Sequence, residues 1–325
     1  MSKYNGIDIS KASFDVAIKQ KNGKFKLFQL ENNLKGFKKL IKQIDSESIT
    51  VMEATGTYFL PLASFLHKNN YKVAVVNPLQ IKHFVRMRMV RAKTDKKDAL
   101  MIASYGESEN PKIWKPKQEI IQQIAQLHTI VEGLTKQETA IKNQLEAFNQ
   151  LIVNDKIGER TLLSLLKKIK EEKNKLENRM LELITKHYEE TFLLLMSIPG
   201  IGKKTAMMLI VISDDFNKFD SAKQMAAYLG MSPRVYQSGT SVNGRGHISK
   251  MGNKYIRKLL YICSWSAKRY NKQSKLMSER LEKKGKPKKV INMALANKLL
   301  KQAFGVAKNR KKYDENYVNP KYKYI

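Results

Sequence analysis

Four carboxylates stand out in this chain, because they lie beside apolar or small residues: Asp8, Glu53, Asp95 and Asp98. Asp8 lies in one strand-like run and Glu53 ends another, while Asp95 and Asp98 are three residues apart at the predicted start of a helix. That spacing puts the last two on one helical face. Mg²⁺ prefers oxygen ligands, and two such ions can clamp the attacking and leaving oxygens of a phosphodiester. The pattern predicts metal-dependent chemistry on nucleic acid, with two Mg²⁺ per site.

The charge of the chain favours a polyanionic partner. Lys and Arg number 61 against 29 Asp and Glu, which gives a formal net charge of +32 over 325 residues. Residues 245–325 alone hold 23 basic and 4 acidic residues, a net of +19. Neutralising phosphates and releasing their counterions would supply affinity for nucleic acid. A lysine-rich genome explains part of this excess, but not its concentration at one end.

Other residues argue against competing classes of protein. The single cysteine, Cys263, lies in an apolar stretch, so we expect it in the core. His67, His83 and His128 show no metal-ligand spacing, which disfavours zinc. No apolar run reaches membrane-spanning length and no signal peptide is recognisable, so we expect no membrane contact and a location in the bacterial cytoplasm, at the nucleoid.

Residues 1–112 predict a mixed α/β domain. Three strands come first, then helices and strands alternate, in the order β-β-β-α-β-α-β-α-α. The predicted strands are 7–9, 14–19, 25–30, 49–53 and 72–76, and the predicted helices begin near residues 34, 59, 79 and 95. This is the element order of the RNase H-like (RuvC-like) fold. In it the first and fourth strands are neighbours, so Asp8 and Glu53 come close and the last helix brings Asp95 and Asp98 over them.

Two other acids of this domain illustrate the ordinary alternative to a functional role. Asp15 stands beside a strand start and Asp45 ends a helix, and we expect both at the surface.

Residues 113–190 predict a helical coiled-coil hairpin. Apolar residues recur in steps of three and four on both sides of residues 154–158, and Glu138 and Lys173 each fill one position of the pattern. The hairpin would be about 50 Å long by helix rise. It either packs on itself or serves as a dimerisation arm, and the pattern does not separate the two.

Residues 191–312 predict a mainly helical C-terminal domain. Residues 197–205 are typical of a helix-hairpin-helix turn, where glycines and a helix N-terminus can approach a phosphate beside Lys203 and Lys204. The ordinary alternative is a tight turn between packed helices. Residues 233–253 predict a polar loop that leads into a helix at 254–270, and another helix is predicted at 290–308.

Residues 313–325 form a basic, Tyr-rich tail. Its tyrosines could stack on bases, but we expect a frayed terminus. In the loop at 233–253, the natural phosphate clamps are Arg234, Arg245 and Lys250, with a generic basic surface as the alternative for each.

Two sets of motifs in the same order carry a family resemblance. The first set surrounds Asp8, Glu53 and the pair Asp95 and Asp98. The second consists of Pro199-Gly200-Ile201-Gly202, Ala227-Tyr228-Leu229-Gly230, Gln237-Ser238-Gly239 and Ile248-Ser249-Lys250-Met251-Gly252-Asn253. Together they resemble the DEDD insertion-sequence transposases with a RuvC-like N-terminal domain and a C-terminal serine transposase domain. Relatives of that family include the Piv-type pilin-gene invertases.

The resemblance implies a recombinase that excises and inserts its element. Its DNA partners would be the element ends and the target, and a structured bridge RNA would guide it. The four carboxylates would hold Mg²⁺, and a serine of the C-terminal domain would form a covalent link to DNA. A homo-oligomer, dimer to tetramer, would combine carboxylates and serine from different protomers.

The serine nucleophile of the family can be assigned to this sequence less directly than its four carboxylates. Ser238, in Gln237-Ser238-Gly239, matches the Ser-Gly pair of the family best, and Ser241 is the runner-up. Ser249 is predicted to be a helix N-cap. Two further classes of function stay open: a RuvC-like structure-specific endonuclease, such as a junction resolvase, that acts hydrolytically, and a non-catalytic binding protein.

Overall fold

The structure is a computed structural model that describes residues 4–20, 22–89, 95–153, 155–234, 237–238, 242–243, 247–248 and 251–317. Only the backbone is described for residues 95, 96, 234, 237, 238, 242, 243 and 247. The chain folds as two compact units, one up to Pro116 and one from Lys117 onward.

A five-stranded sheet forms the centre of the first unit. Its strands are β1 (Tyr4–Ile9), β2 (Ser13–Lys19), β3 (Phe25–Glu31), β4 (Ile49–Glu53) and β5 (Lys72–Val76). Their order across the sheet is β3-β2-β1-β4-β5, as expected for an RNase H-like arrangement. The first three strands pair antiparallel, while β4 is parallel to both β1 and β5. The predicted strands and the predicted neighbours are confirmed.

Helices cover both faces of this sheet, because its central strands are apolar on both sides. Helices α1 (Leu34–Ile41) and α2 (Phe59–Lys68) pack on the face that carries Ile7, Val16 and Met52. On the opposite face, Val51 and Ala74 pack with residues of α3 (Pro78–Met87) and α4 (Asp95–Glu109). We call the latter the α4 face.

Helix α4 approaches β1 so closely that only small residues fit between them. An ideal Cβ on Gly6 would lie 2.0 Å from the carbonyl oxygen of Ala99 and 2.4 Å from the backbone nitrogen of Ala103. Ala17 of the neighbouring strand β2 packs with the same two alanines. The backbones of helix and strand are therefore in direct contact at Gly6.

The second unit begins with a helical hairpin made of α5 (Glu119–Phe148) and α6 (Lys156–Met196). Its helices run antiparallel: the Tyr188 hydroxyl donates to Gln118 Oε1 at 2.6 Å at one end, and the Phe148 ring lies against Gly158 at the other. Helix α6 bends at Tyr188, whose backbone is not helical. The two predicted helices are confirmed and pack on each other within one chain, whereas the coiled-coil geometry stays a prediction.

The two polar interruptions of the heptad pattern pair with each other. Glu138 is 8% exposed and accepts hydrogen bonds from Lys173 across the hairpin and from Lys142 on its own helix, the latter at 2.7 Å. These bonds hold the pKa of Glu138 at about 2, below its ordinary 4.5. A buried polar pair of this kind fixes the register of two helices, since any slip would separate the charges.

Five more helices follow in the described part of the chain, and all but the fourth contribute to one mainly apolar core with the end of the hairpin. They are α7 (Lys203–Ser213), α8 (Ala222–Tyr228), α9 (Lys254–Tyr270), α10 (Lys272–Lys283) and α11 (Lys288–Asn309). Four short strands lie between α8 and α9: β6 (Pro233–Arg234), β7 (Gln237–Ser238), β8 (Val242–Asn243) and β9 (His247–Ile248). Cys263 of α9 is buried in this core, as predicted. None of the helices in the described part of the chain is long and apolar enough to cross a membrane.

The expected frayed terminus is wrong at Tyr313. Its backbone N–H donates to Ser197 Oγ at 2.9 Å, and its hydroxyl donates to Asn271 Oδ1 at 3.2 Å. These bonds tie the chain after α11 to the end of α6 and to the corner between α9 and α10, so Tyr313 is not a free stacking residue. Tyr322 and Tyr324 lie outside the described residues.

Replacing Glu138 with Gln should lower the free energy of unfolding at pH 7 by about 1–3 kcal/mol, because the ammonium of Lys173 loses its charged partner. The pKa of Glu138 is lowered on folding, so its stabilisation is complete above about pH 4.5 and is lost as the pH falls towards 2. Urea denaturation at pH 7 and pH 3 should therefore show a smaller difference between the two proteins at pH 3. The control is Glu172→Gln, which breaks exposed pairs with Lys168 and Lys175 and should change both values much less, because exposed ion pairs contribute little. A difference that did not depend on pH would contradict the pairing.

Adding a methyl group at residue 6 should force α4 away from β1. Overpacking against backbone atoms cannot be relieved by a rotamer change, so Gly6→Ala should destabilise the first unit by about 2 kcal/mol or more. Gly133→Ala in α5 is the control, since beyond the adjoining backbone of its own helix its Cβ would meet open space; it should be neutral or stabilise by about 0.5–1 kcal/mol. Denaturant midpoints measure both, and an unchanged midpoint for Gly6→Ala would refute the close contact.

Candidate active site and nucleic-acid interface

Asp8 and Glu53 are neighbours at one edge of the sheet. The parallel register pairs Ile7 of β1 with Met52 of β4, so the next residues along both strands are Asp8 and Glu53. Side chains alternate along a strand, so Asp8 shares the α4 face with Gly6, and Glu53 shares it with Val51. Both carboxylates are half-buried, and Thr55 Oγ1 lies 3.4 Å from Glu53 Oε1.

Helix α4 crosses the face on which these two carboxylates lie. The helix begins at Asp95, and Ala99, which contacts Gly6, directly follows Asp98. The side chain of Asp98 is half-buried. It lies on the turn of α4 that packs on β1 at Gly6, and Gly6 is two residues before Asp8 along the strand. The structure describes only the backbone of Asp95. The structure thus brings Asp8 and Glu53 together and sets the backbone of the Asp95–Asp98 turn near them.

The described carboxylates alone do not form a complete metal cage. Among the side chains that the structure describes, a set without Asp95, no group of three or more Asp, Glu, His or Cys is placed to hold a metal ion. All four predicted ligands are nevertheless carboxylates, so they offer only oxygen donors. Oxygen donors suit a hard divalent cation rather than zinc.

A fifth carboxylate lies in this region, and the expected surface position of Asp15 is wrong. Asp15 is 6% exposed and stands directly opposite Asp8 in the antiparallel register of β1 and β2. Gln29 Nε2 donates to Asp15 Oδ2 at 3.0 Å. The alternation of β2 is that of a strand with one solvated face, but α4 covers that face. Asp45 is exposed, as expected.

The serine segment contains two short antiparallel ladders instead of the predicted loop. Pro233 and Arg234 pair with Ile248 and His247, and Gln237 and Ser238 pair with Asn243 and Val242. The backbone of Ser238 therefore lies at the end of this second ladder, four positions before Val242, with which it pairs. The side chain of Ser238 and the whole of Ser241 lie outside the described residues.

The predicted N-cap at Ser249 is wrong. Helix α9 begins at Lys254, and the side chain of Asn253 accepts a hydrogen bond from the Ile256 N–H at 2.9 Å. Asn253 directly precedes the helix, whereas Ser249 is four residues further back, too far to cap its first turn. Ser249 itself lies outside the described residues.

The five predicted phosphate contacts have different surroundings. Lys203 is exposed at the start of α7, next to the N-cap residue Gly202. The ammonium of Lys204 is 2.8 Å from Glu177 Oε1 of the hairpin, so it is already engaged within the unit. The backbone of Arg234 lies in β6. Arg245 and Lys250 lie outside the described residues.

The turn before α7 is shaped by packing. Gly200 has φ +105°, and a Cβ there would lie 2.8 Å from the Cβ of Ala267 in α9. This glycine is therefore required by backbone conformation and by close packing against α9. The tight-turn explanation accounts for Gly200 on its own, and phosphate binding at this turn stays a prediction.

The exposed side of α9 combines aromatic and basic residues that the sequence analysis did not single out. Ile262 and Trp265 are 47% and 55% exposed, and Lys258 and Arg269 extend the same stripe at helical spacing. The Tyr261 ring packs edge-on against Trp265, with the ring centres 5.9 Å apart. Helix α9 contains five Lys and Arg and no carboxylate. An aromatic ring among cations can stack on a base while the cations neutralise phosphates. The sequence feature that could have identified this stripe is the helical spacing of residues 258, 262, 265 and 269, which places them on one face of α9.

Comparison with known proteins gives a consistent family assignment. A model of the DEDD transposases of IS110, described as "Transposase", matches residues 5–153, and one described as "Transposase IS116/IS110/IS902 family" matches residues 193–279. The chain is 32% identical to the pilin gene-inverting protein of Moraxella bovis over 97% of this chain and 99% of that protein. The corresponding protein of Moraxella lacunata gives the same identity and coverage.

A third relative is itself described as a transposase. It is the transposase for insertion sequence element IS1328 of Yersinia enterocolitica, with 26% identity over 93% of this chain and 95% of that protein. The family model over residues 5–153 contains Asp8, Glu53, Asp95 and Asp98, and the DEDD transposases in general use divalent metal ions. The matched regions and the extent of the alignments show that this chain belongs to the IS110 family of transposases, enzymes that cut and rejoin DNA.

Proposed function

We propose that this chain is the recombinase of an insertion sequence and cuts and rejoins DNA strands through a covalent phosphoserine. Asp8, Glu53, Asp95 and Asp98 form its metal centre, and Ser238 is its nucleophile. The observation that carries the proposal is the adjacent pair Asp8 and Glu53 on the face that α4 crosses. Carboxylates gathered at one sheet edge have no evident structural purpose, because like charges placed together are destabilising.

The donor set fits Mg²⁺, two ions per centre, because its four members offer only carboxylate oxygens. Bound Mg²⁺ neutralises the phosphate and lowers the barrier to attack by a hydroxyl. The protein supplies the rest: β1 and β4 hold two carboxylates at fixed spacing, and α4 carries the other two.

The strand transfer conserves the phosphodiester energy. Ser238 Oγ forms a bond to phosphorus as the P–O bond of the DNA strand breaks, and the serine proton is passed on to the leaving hydroxyl. The reverse step, attack by a DNA hydroxyl on the phosphoserine, returns the proton to Ser238 and rejoins the strand. ATP is not needed, because the number of phosphoester bonds stays the same.

The partners of this reaction are the element ends, the target DNA and a structured guide RNA. The net charge of +32 and the exposed basic and aromatic side of α9 support binding of nucleic acid by the second unit. If pairing with a guide RNA selects the target, the protein itself needs few base-specific contacts. We further propose a homo-oligomer, dimer to tetramer, in which the carboxylates and Ser238 of different protomers meet.

Covalent capture of DNA tests the nucleophile and the metal centre together. The purified protein is mixed with Mg²⁺, with labelled DNA that spans the flanks of its reading frame, and with RNA transcripts of those flanks. It should form an SDS-stable adduct with the labelled DNA. Ser238→Ala should abolish it, because no other hydroxyl takes that position, and Asp8→Asn should reduce it at least about 100-fold, since the metal centre loses a ligand. Ser241→Ala is the matched control from the same segment and should retain the adduct.

Two outcomes would replace this assignment. An adduct that survives Ser238→Ala but not Ser241→Ala would move the nucleophile to Ser241. DNA cleavage that persists in both variants without any adduct would favour the hydrolytic RuvC-like endonuclease.

Trp265 should contribute to nucleic-acid binding through its exposed ring. Removing one stacking partner weakens binding by about 1–3 kcal/mol, so Trp265→Ala should raise the Kd for unpaired RNA about tenfold or more. Trp265→Phe is the matched control, because it keeps an aromatic face and should lose much less. Fluorescence anisotropy with a labelled unpaired oligonucleotide measures both, and equal losses in the two variants would contradict stacking.

A further inference from the structure

Asp15 has a position that its sequence context does not explain. It is directly opposite Asp8 in the register of β1 and β2, and opposed residues have Cβ atoms about 4.5–5.5 Å apart. Gly6 and Ala17, the next opposed pair on that face, both lie under α4. The carboxylate of Asp15 is therefore held between the sheet and α4, beside Asp8.

This placement is unfavourable unless something compensates for it. Asp15 is 6% exposed, so its carboxylate has lost most of its hydration. Its neighbour across the ladder carries the same charge. The amide of Gln29, which faces it from β3, supplies a single hydrogen bond at 3.0 Å. Among the described residues, Asp15 forms no ion pair within 4.0 Å, although the chain has 61 Lys and Arg.

We propose that Asp15 is a positioning residue for the proposed divalent-cation centre and acts through Asp8. Its charge raises the negative potential beside Asp8, at the end of the strands where the proposed cation would bind. The bound cation in turn relieves the repulsion between Asp8 and Asp15. Mutation of residues that surround the ligands of a metal site typically costs about 10–100-fold in metal affinity or activity.

The alternative is a purely structural role, in which Asp15 only anchors Gln29. The two roles predict opposite effects of Asp15→Asn on the thermal stability of the metal-free protein. If Asp15 serves the cation, Asp15→Asn removes a repulsion and the metal-free protein keeps or gains thermal stability. If Asp15 is a structural anchor, the same change weakens a buried hydrogen bond and the metal-free protein loses stability.

The test uses the full chain and Mn²⁺ as the probe. Mn²⁺ binding is followed by electron paramagnetic resonance of the free ion, and Tm is measured in EDTA and in excess Mn²⁺. Asp15→Asn should weaken Mn²⁺ binding about tenfold or more, with a Tm in EDTA at or above that of the wild type. Asp45→Asn, an exposed change of the same kind in the same unit, should alter neither. Wild-type Mn²⁺ affinity in Asp15→Asn, or a lower Tm in EDTA, would overturn the inference.

A second variant tests the same inference without changing Asp15. Gln29→Met removes the amide and leaves both carboxylates, so the metal-free protein should be destabilised more than the Mn²⁺-bound protein. The rise in Tm on adding Mn²⁺ should then exceed that of the wild type. An equal rise would overturn the inference.

This inference rests on the proposed metal centre, and the two fail in different ways. If the wild type shows no Mn²⁺ binding that Asp8→Asn abolishes, the metal centre itself is refuted. If the wild type binds and Asp15→Asn binds equally well, only the role of Asp15 is refuted.

Discussion

The direct contact between α4 and β1 is the constraint on which the candidate chemistry of the first unit depends. Because Gly6 has no side chain, the carbonyl of Ala99 and the amide of Ala103 can rest on the strand itself. Two backbones in contact leave no room for sliding or tilting, unlike two layers separated by flexible side chains. Asp98 is one residue from this contact on the helix, and Asp8 is two residues from it on the strand. The small residues thus fix the distance between two acidic elements.

The same face concentrates negative charge in a strongly basic chain. Asp15, Asp8 and Glu53 lie on three adjacent strands, β2, β1 and β4 respectively, and each points to the side that α4 covers. Fold stability alone would favour apolar residues at such positions, and the rest of the face supplies them with Val51, Ala74 and Ala17. The proposed metal centre accounts for acids at these positions, because the DEDD transposases in general use divalent metal ions.

Much of the first unit could be predicted from the sequence, because its strands are short apolar runs between clear turns. The predicted neighbours β1 and β4 followed from the element order, which is that of the RNase H-like fold. The predicted surface position of Asp15 was wrong because polar and apolar residues alternate along β2 as in a strand with one solvent-exposed face. Only the tertiary position of α4 shows that both faces are covered. Periodicity reports which residues share a face, but not what lies on it.

The second unit shows other limits of sequence reasoning. Glu138 and Lys173 each looked like a defect of an apolar pattern, and only their alignment across the hairpin shows that they form one pair. Helix α10 was missed because it is mostly polar, and the ladders around Ser238 are two residues long, too short for any periodic signal. Asn253 rather than Ser249 caps α9 because capping depends on the residue directly before the helix.

The central claim is that the carboxylates of the first unit and Ser238 of the second belong to one reaction. It is tested most directly by mass spectrometry of the wild-type protein after reaction with DNA, digestion of the DNA to short remnants and proteolysis. The account predicts a nucleotide remnant on the peptide that contains Gln237-Ser238-Gly239, with fragment ions that assign the phosphoester to Ser238. A remnant on another residue, or cut DNA with no remnant on the protein, would contradict it.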